Sequence, residues 1–311
     1  MAWLGTGGVD AAFNIALRVG RQQAGQNWSE SHMTRTKWSV LGCLNCVSIG
    51  LLITAAPGYG LETIDRPASA AKTAEFEKII EHVSPETNKR TAVFRRAGAA
   101  PIVYFSGMTI DADGAPNAYH PDDASGIDAL EHAGSDGDWW ALALDERKAP
   151  VVQRKGEFTG FYVSKTWLSR QDEIYSETDP EYWLDSRKVR YIAVPETVWT
   201  AAGVGKGDLA YVFDLETGKS SFAIVGDWGT ENTLGEGSIA LAKALGIDSD
   251  PRTGGQDNGI SYVVFPRSAT HPSWPRNPDE MKRQAEKLMQ DWGGRDAVMA
   301  LQAIAFRQSR K

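Results

Sequence analysis

Short apolar runs separated by turn residues fill the chain from Ala92 to about Pro266. The runs are rich in β-branched and aromatic residues, which favours strands. Turn signals such as Asp113-Gly114 and Thr217-Gly218 lie between them. Short strands at this spacing predict a closed barrel or a sandwich with few helices. The predicted strands are Ile102–Phe105, Trp139–Leu144, Gly160–Val163, Arg190–Val194, Leu209–Phe213, Phe222–Val225 and Ile260–Phe265.

Helical periodicity occurs on both sides of this β-rich region. The segment Thr73–Val83 places its apolar residues on one face and predicts a short amphipathic helix, within a polar linker over residues 61–90. Near the other end, Asn277–Trp292 carries an apolar stripe of helical spacing, and a second helical pattern covers Arg295–Phe306. We expect these last two helices to pack on the β-structure, within one domain over residues 91–311.

The segment Ser221–Gly246 predicts a strand, a glycine-rich loop and a helix. Ser238 is an expected N-cap and Gly246 follows the last helical residue. Asp227 leaves the strand and Glu236 lies just before the helix, so both carboxylates are expected at one edge of the fold. Such a pair suits acid/base hydrolysis of a glycosidic bond. The alternative is a solvated surface loop whose acidic residues only cap the helix.

A second polar cluster runs from Asp111 to Asp123. Its opening resembles a calcium loop, but no glutamate occupies the twelfth position, so an EF-hand is excluded. The segment is either a plain turn with solvated aspartates or the polar wall of a binding cleft that includes His120. The chain also has 11 tryptophans, and exposed tryptophans stack on sugar faces and cations.

The amino-terminal 60 residues predict a leader. Two basic residues after Met33, an apolar run over Ser39–Ile53 and a small-residue tail form the pattern of a secretory signal peptide. We expect Met33 to be the true start and the mature protein to be secreted or periplasmic, although an uncleaved anchor or a longer leader stays open. Both cysteines, Cys43 and Cys46, lie in this segment, so the mature chain would have no disulfide.

Composition and the absence of certain motifs argue against several classes of function. The formal net charge is −7, which argues against nucleic-acid binding and is compatible with a cationic partner. The sequence has no nucleotide-binding loop, no Gly-x-Ser-x-Gly nucleophile motif and no histidine spacing typical of zinc sites. We therefore predict no cofactor and no metal.

Several segments in order resemble glycoside hydrolase family 75, the chitosanases of fungi and bacteria. They cover roughly residues 100–270 and are Asp111–Pro121, Gly160–Ser164, Tyr191–Pro195, Gly207–Ala210, Ala223–Asp227, Gly235–Ile247 and Tyr262–Pro266. The family's two essential carboxylates fall on Asp227 and Glu236, and Trp228 replaces a smaller aliphatic residue usual in the family.

The resemblance implies a monomeric enzyme that hydrolyses β-1,4 linkages of chitosan with inversion. We assign Asp227 as general base and Glu236 as general acid, with the opposite assignment open. Chitosan's ammonium groups suit the acidic residues Asp111, Asp113, Asp122 and Asp123. The expected substrate-binding residues are Asp111, Asp113, Asn117, Tyr119, His120 and Trp228.

The strand-loop-helix segment also resembles the double-psi β-barrel of expansins and of some lytic transglycosylases. This similarity implies a mainly β fold, a six-stranded double-psi-like β-barrel with peripheral helices that include two at the carboxyl end. It also leaves two alternatives open, a peptidoglycan-cleaving enzyme and a non-catalytic carbohydrate-binding barrel.

Overall fold

The fold is that of a computed structural model that describes residues 76–308. The predictions for the leader, for Met33 as the start and for the two cysteines lie outside the described residues. Within residues 76–308, no helix combines the length and the apolar character that a membrane span needs.

Ten strands and four α-helices make up the described chain. The strands are β1 (Phe76–Val83), β2 (Arg90–Arg96), β3 (Ile102–Asp111), β4 (Gly134–Ser135), β5 (Asp138–Trp139), β6 (Tyr191–Ala193), β7 (Leu209–Asp214), β8 (Ser220–Asp227), β9 (Glu236–Ser238) and β10 (Gln256–Phe265). The helices are α1 (Glu196–Ala202), α2 (Ile239–Leu245), α3 (Pro278–Trp292) and α4 (Gly294–Gln308).

Six of these strands form a closed barrel in the order β3-β10-β7-β8-β6-β9, and β9 returns to β3. The contacts of β6 with β8 and of β3 with β9 are parallel, and the other contacts around the barrel are antiparallel. The β1–β2 hairpin continues the sheet from the first half of β3, while β9 pairs with its last residues. The prediction of a mainly β, six-stranded barrel with two carboxyl-terminal helices is confirmed.

The barrel strands are buried on both faces, which explains why they read as nearly continuous apolar runs. Alternate residues of β7 divide between two clusters: Ala210 and Val212 belong to the barrel interior, whereas Leu209 and Phe213 belong to an outer cluster. The outer cluster also contains the buried face of α3, including Met281, Ala285, Met289 and Trp292. The two carboxyl-terminal helices thus cover the outside of the barrel, as expected.

Three local predictions were wrong or incomplete. Phe76–Val83 is a strand paired with β2 and not a helix, because a short apolar run satisfies both periods and cross-strand partners decide between them. The strands predicted over Trp139–Leu144 and Gly160–Val163 are mostly irregular chain with isolated bridges. Glu236 lies on the short strand β9 and not in the predicted loop.

The boundary between β9 and α2 depends on one buried hydroxyl. Ser238 Oγ accepts hydrogen bonds from the backbone N–H of Leu241 and of Tyr191, each at 3.1 Å. The first bond caps α2, as the sequence predicts, and the second ties the helix start to β6. A single side chain therefore fixes the element that carries Glu236.

We expect Ser238→Ala to lower the free energy of unfolding by about 2 kcal/mol, because it leaves two buried N–H groups without acceptors. Urea denaturation of the variant and the wild type measures this change. Ser135→Ala, at an exposed residue of β4, is the matched control and should change stability little. A loss no larger than that of the control would contradict the assignment.

Candidate active site

The two predicted catalytic carboxylates flank one residue of β6. Asp227 ends β8 and pairs with Ala193, and Glu236 begins β9 and pairs with the same Ala193 from the other side. Residues in register on neighbouring strands project to the same face of a sheet. The barrel closure therefore brings the two acids to either side of one residue of β6.

A tight turn after β3 adds two more carboxylates. Asp111 ends β3 opposite Ser238 of β9, and its Oδ1 accepts the backbone N–H of Asp113 at 2.7 Å. Gly114 follows with a φ of +73°, and a Cβ there would collide with the Leu184 carbonyl oxygen. Gly114 is thus required by this turn, and Asp113 just before it lies near Asp111 and Asp227.

Three of these carboxylates meet at close range. One oxygen each of Asp111, Asp113 and Asp227 lies within 4.8 Å of the other two. Asp111 and Asp227 are buried and Asp113 is partly exposed. Such a group needs bound protons or a cation to relieve its mutual repulsion. The spacing would also fit a small metal ion, so the prediction of no metal stays a prediction.

The environments of Asp227 and Glu236 differ. Asp227 Oδ1 accepts the backbone N–H groups of Trp167 at 2.9 Å and Trp228 at 2.6 Å. Its Oδ2 is buried without a hydrogen-bond partner among the described residues. By contrast, no described residue donates a hydrogen bond to the carboxyl group of Glu236.

Burial raises the pKa of every carboxyl in this cluster. It raises the pKa of Asp111 to about 6, and that of Asp113, Asp227 and Glu236 well above the ordinary range. The charge of Asp111 adds to the rise at Asp113, Asp227 and Glu236. At Asp227, backbone N–H donors and Lys165 offset part of this rise in pKa. No described group offsets the rise at Glu236. Glu236 therefore holds its proton with less opposition than Asp227 does.

The remaining predicted polar residues separate into two groups. Tyr119 is buried and donates its hydroxyl to Asp113 Oδ1 at 2.7 Å, so it joins the cluster. Asn117 accepts a hydrogen bond from Arg187 at 3.0 Å, and His120 packs edge-on against Phe161 at 4.8 Å. Neither of these two contacts the carboxylate cluster.

The predicted acidic group of four aspartates does not stay together. Asp122 and Asp123 are exposed, and Asp123 pairs with Arg252 at 3.1 Å. Only Asp111 and Asp113 of the four reach the cluster. Two consecutive turns, closed by hydrogen bonds from Ala115 to Ala112 and from Ala118 to Ala115, lie between the two pairs, and sequence proximity does not reveal them.

An aromatic wall lies beside Asp227. Trp228 is 52% exposed and meets Trp199 edge-to-face at 6.1 Å, and Trp199 in turn packs on Trp167 at 5.4 Å. The sequence pointed to Trp228 but not to Trp199, which lies on α1, a helix that the sequence did not predict. The high tryptophan content was the only signal for this wall.

No protein-family model matches the chain, and no curated protein sequence matches it at a significant level. The resemblance to chitosanases therefore rests on the seven segments of the chain that carry it.

We expect Asp111→Asn to change how stability depends on pH. The pKa of Asp111 in the folded protein, about 6, exceeds the ordinary value of 3.8, so the folded protein binds this proton more tightly than the unfolded chain does. The free energy of unfolding of the wild type should therefore fall as pH rises from about 4 through about 6. Removing the acid should remove this loss, a gain on the order of 2 kcal/mol near neutral pH.

Urea denaturation at a series of pH values measures this difference. The gain should vanish near the acid end of the range, where the carboxyl is protonated in both states. Asp136→Asn, in the exposed turn between β4 and β5, is the control and should show no such pH dependence. A variant that differs from the wild type equally at every pH would argue against a raised pKa of Asp111 as the cause.

Proposed function

We propose that the protein is an endo-chitosanase that hydrolyses β-1,4 linkages between glucosamine units with inversion. The observation that carries this proposal is the placement of Asp227 and Glu236 on either side of Ala193, in environments that differ. Burial raises the pKa of both, but backbone N–H donors and Lys165 offset part of the rise at Asp227 and no described group offsets it at Glu236. A pair of acids whose surroundings differ in this way supports separate roles as acid and base.

Asp227 has the features of the general base. Two backbone N–H groups on Oδ1 and the nearby Lys165 favour its carboxylate form. Oδ2 is buried and has no hydrogen-bond partner among the described residues, so no described protein donor competes with a water molecule that enters with the substrate. The water oxygen then attacks the anomeric carbon as its proton passes to Asp227.

Glu236 has the features of the general acid. Burial and three neighbouring carboxylates, Asp111, Asp227 and Asp128, raise its pKa, and no described donor offsets that rise. A protonated Glu236 gives its proton to the glycosidic oxygen as the bond to the anomeric carbon breaks. One proton leaves the water and one reaches the leaving sugar, so the reaction balances.

The separation of the pair fits a mechanism that needs a water molecule between base and sugar. Two strand spacings place the Cα atoms of Asp227 and Glu236 about 9–10 Å apart. Side chains of this length can hold their carboxyl groups within the roughly 6.5–9.5 Å typical of inverting enzymes.

The substrate class follows from charge and shape together. No described cationic side chain forms an ion pair with the cluster of Asp111, Asp113 and Asp227, and an ammonium group of glucosamine would relieve the repulsion within it. Trp228 offers an exposed indole beside the base, and sugar faces stack on such rings. A cationic, ring-shaped polymer satisfies both features.

We expect Asp227→Asn and Glu236→Gln each to lower the rate of soluble sugar release from chitosan at least about a hundredfold, since each removes a proton-transfer group. Reducing-sugar assays measure the rate, and denaturation curves check that each variant folds. Glu146→Gln, at an exposed position, is the control and should keep wild-type activity. Full activity in either catalytic variant would refute the assignment.

Parallel assays on chitosan, chitin and peptidoglycan separate the proposed activity from its alternatives. Hydrolysis of chitosan supports the proposal. Release of muropeptides without chitosan hydrolysis would indicate a cell-wall lytic enzyme, and binding without cleavage would indicate a carbohydrate-binding barrel.

We expect Trp228→Ala to raise the KM for chitosan oligomers roughly three- to tenfold, because stacking on an aromatic ring contributes about 0.5–1.5 kcal/mol. The kcat should change less, since the ring does not transfer a proton. Trp140→Ala is the matched control: Trp140 is 51% exposed and its indole N–H donates to the His132 carbonyl. Equal effects of the two substitutions would argue against a specific role for Trp228.

A further inference from the structure

A chain of hydrogen bonds runs from the surface to the carboxylate cluster. His132 Nδ1 lies 2.8 Å from Asp128 Oδ1, and Tyr119 Oη lies 3.4 Å from Asp128 Oδ2 and 2.7 Å from Asp113 Oδ1. Asp113 in turn lies in the close group with Asp111 and Asp227. Each member of this chain has an atom that can accept or donate a proton.

The side chains of this hydrogen-bonded series become more buried from His132 toward the carboxylate cluster. The His132 side chain is 52% exposed, whereas Asp128 and Tyr119 are 3% and 2% exposed. The imidazole thus reaches solvent and the next two groups do not. This arrangement is the one expected of a proton route that begins in water and ends at the cluster.

Local structure explains only part of these contacts. Asp128 Oδ1 also accepts the backbone N–H of Ala129 at 2.8 Å, which is ordinary for an aspartate before a helical turn. That role uses one oxygen and requires neither His132 nor Tyr119. The second oxygen, Oδ2, faces the buried Tyr119 hydroxyl, which a plain capping residue would not need.

We propose that His132, Asp128 and Tyr119 form a proton relay that exchanges protons between solvent and Asp113, whose carboxylate lies within 4.8 Å of that of Asp227. The proposal rests on the proposed hydrolysis, in which Asp227 gains a proton in each turnover and must lose it before the next. Asp128 and His132 are positioning residues in this scheme, since they act through Tyr119 and do not touch substrate.

The transfer balances without any further reactant. In the inward direction, the His132 imidazolium gives its Nδ1 proton to the Asp128 carboxylate and becomes neutral. The Asp128 carboxyl then rotates so that this proton faces Tyr119, and gives it to Tyr119 Oη while the phenolic proton passes to Asp113 Oδ1; Asp128 is a carboxylate again. One proton leaves the imidazole and one arrives at Asp113, and the reverse sequence carries a proton out to water.

The charged groups around the relay favour a proton on the imidazole. The hydrogen bond to Asp128 raises the pKa of His132; burial opposes this rise, and the charges of Asp128 and Glu131 support it. Arg252 is the cation that opposes it, and its guanidinium is itself bonded to the carbonyl oxygen of Asp128 at 2.7 Å. Around Tyr119 the facing charged groups are Asp113, Asp128 and Asp111.

A double-mutant cycle read by NMR tests the relay without any assay of activity. The imidazole titration of His132 is followed in folded protein labelled at histidine, with the His132→Asn spectrum to assign its signal. We expect Asp113→Asn to lower the His132 midpoint by about 0.3 pH unit or more, because titrations linked by hydrogen bonds are coupled. In a Tyr119→Phe background the same substitution should have less than half that effect.

Two results would overturn the relay. An equal shift in both backgrounds would mean that Asp113 acts on His132 only through its electric field, and no shift at all would mean that the groups are not coupled. If Tyr119→Phe does not fold, difluorotyrosine placed at residue 119 keeps the hydroxyl and makes it more acidic. The His132 midpoint should then move, and an unchanged midpoint would count against the relay.

A kinetic experiment tests whether the relay serves the proposed reaction. His132→Asn keeps a donor toward Asp128 but cannot titrate, so we expect kcat on chitosan to fall at least about threefold with little change in KM, and the pH profile of kcat to shift. His271→Asn, at an exposed histidine between β10 and α3, should leave both unchanged. An unchanged pH profile in His132→Asn would show that the relay does not serve the reaction.

The two proposals fail in different ways. Absence of chitosan hydrolysis in the wild type would refute the proposed function while the NMR cycle still measured the coupling. Normal chitosan hydrolysis with no coupling would refute the relay alone.

Discussion

The barrel is closed by β9, a strand of three residues, and this closure forces several carboxylic acids into one poorly hydrated space. β9 lies between β6 and the end of β3, so Glu236, Asp227 and Asp111 arrive from three strands at the same edge. Isolated carboxylates this deeply buried would be costly. The fold concentrates that cost at the end of the barrel that β9 closes. The raised pKa values on which the candidate chemistry depends result from this burial.

The rest of the barrel is arranged to make this cost tolerable. Two apolar clusters, one inside the barrel and one under the carboxyl-terminal helices, supply the burial that stabilises the fold. Ser238 fixes β9 through hydrogen bonds to β6 and α2. Rigid strands hold the acids near one another although their charges repel, and burial together with this repulsion raises their pKa values toward the range useful for proton transfer.

The hydrogen-bond pattern then gives the acids different properties. Backbone N–H groups of Trp167 and Trp228 donate hydrogen bonds to Asp227, whereas no described residue donates to the carboxyl group of Glu236. Tyr119 serves Asp113 and leads outward to Asp128 and His132. A cluster of like residues thus becomes a set of groups that differ in their hydrogen-bond partners.

Elements whose signals are local could be read directly from the chain. The apolar runs of β7, β8 and β10, the Ser238 cap, the Gly246 helix end and the stripe of α3 all depend on neighbours within a few positions. The same local reading singled out Asp227 and Glu236, through their place in a strand-loop-helix segment.

Which acids meet, by contrast, depends on how the strands pair. Asp122 and Asp123 are close to Asp113 in sequence but are exposed, while Asp227 is far along the chain and lies within 4.8 Å of it. Phe76–Val83 became a strand because β2 was available to pair with it. Strand pairing joins residues that are remote in sequence, so no local pattern could show the cluster, the tryptophan wall or the path to His132.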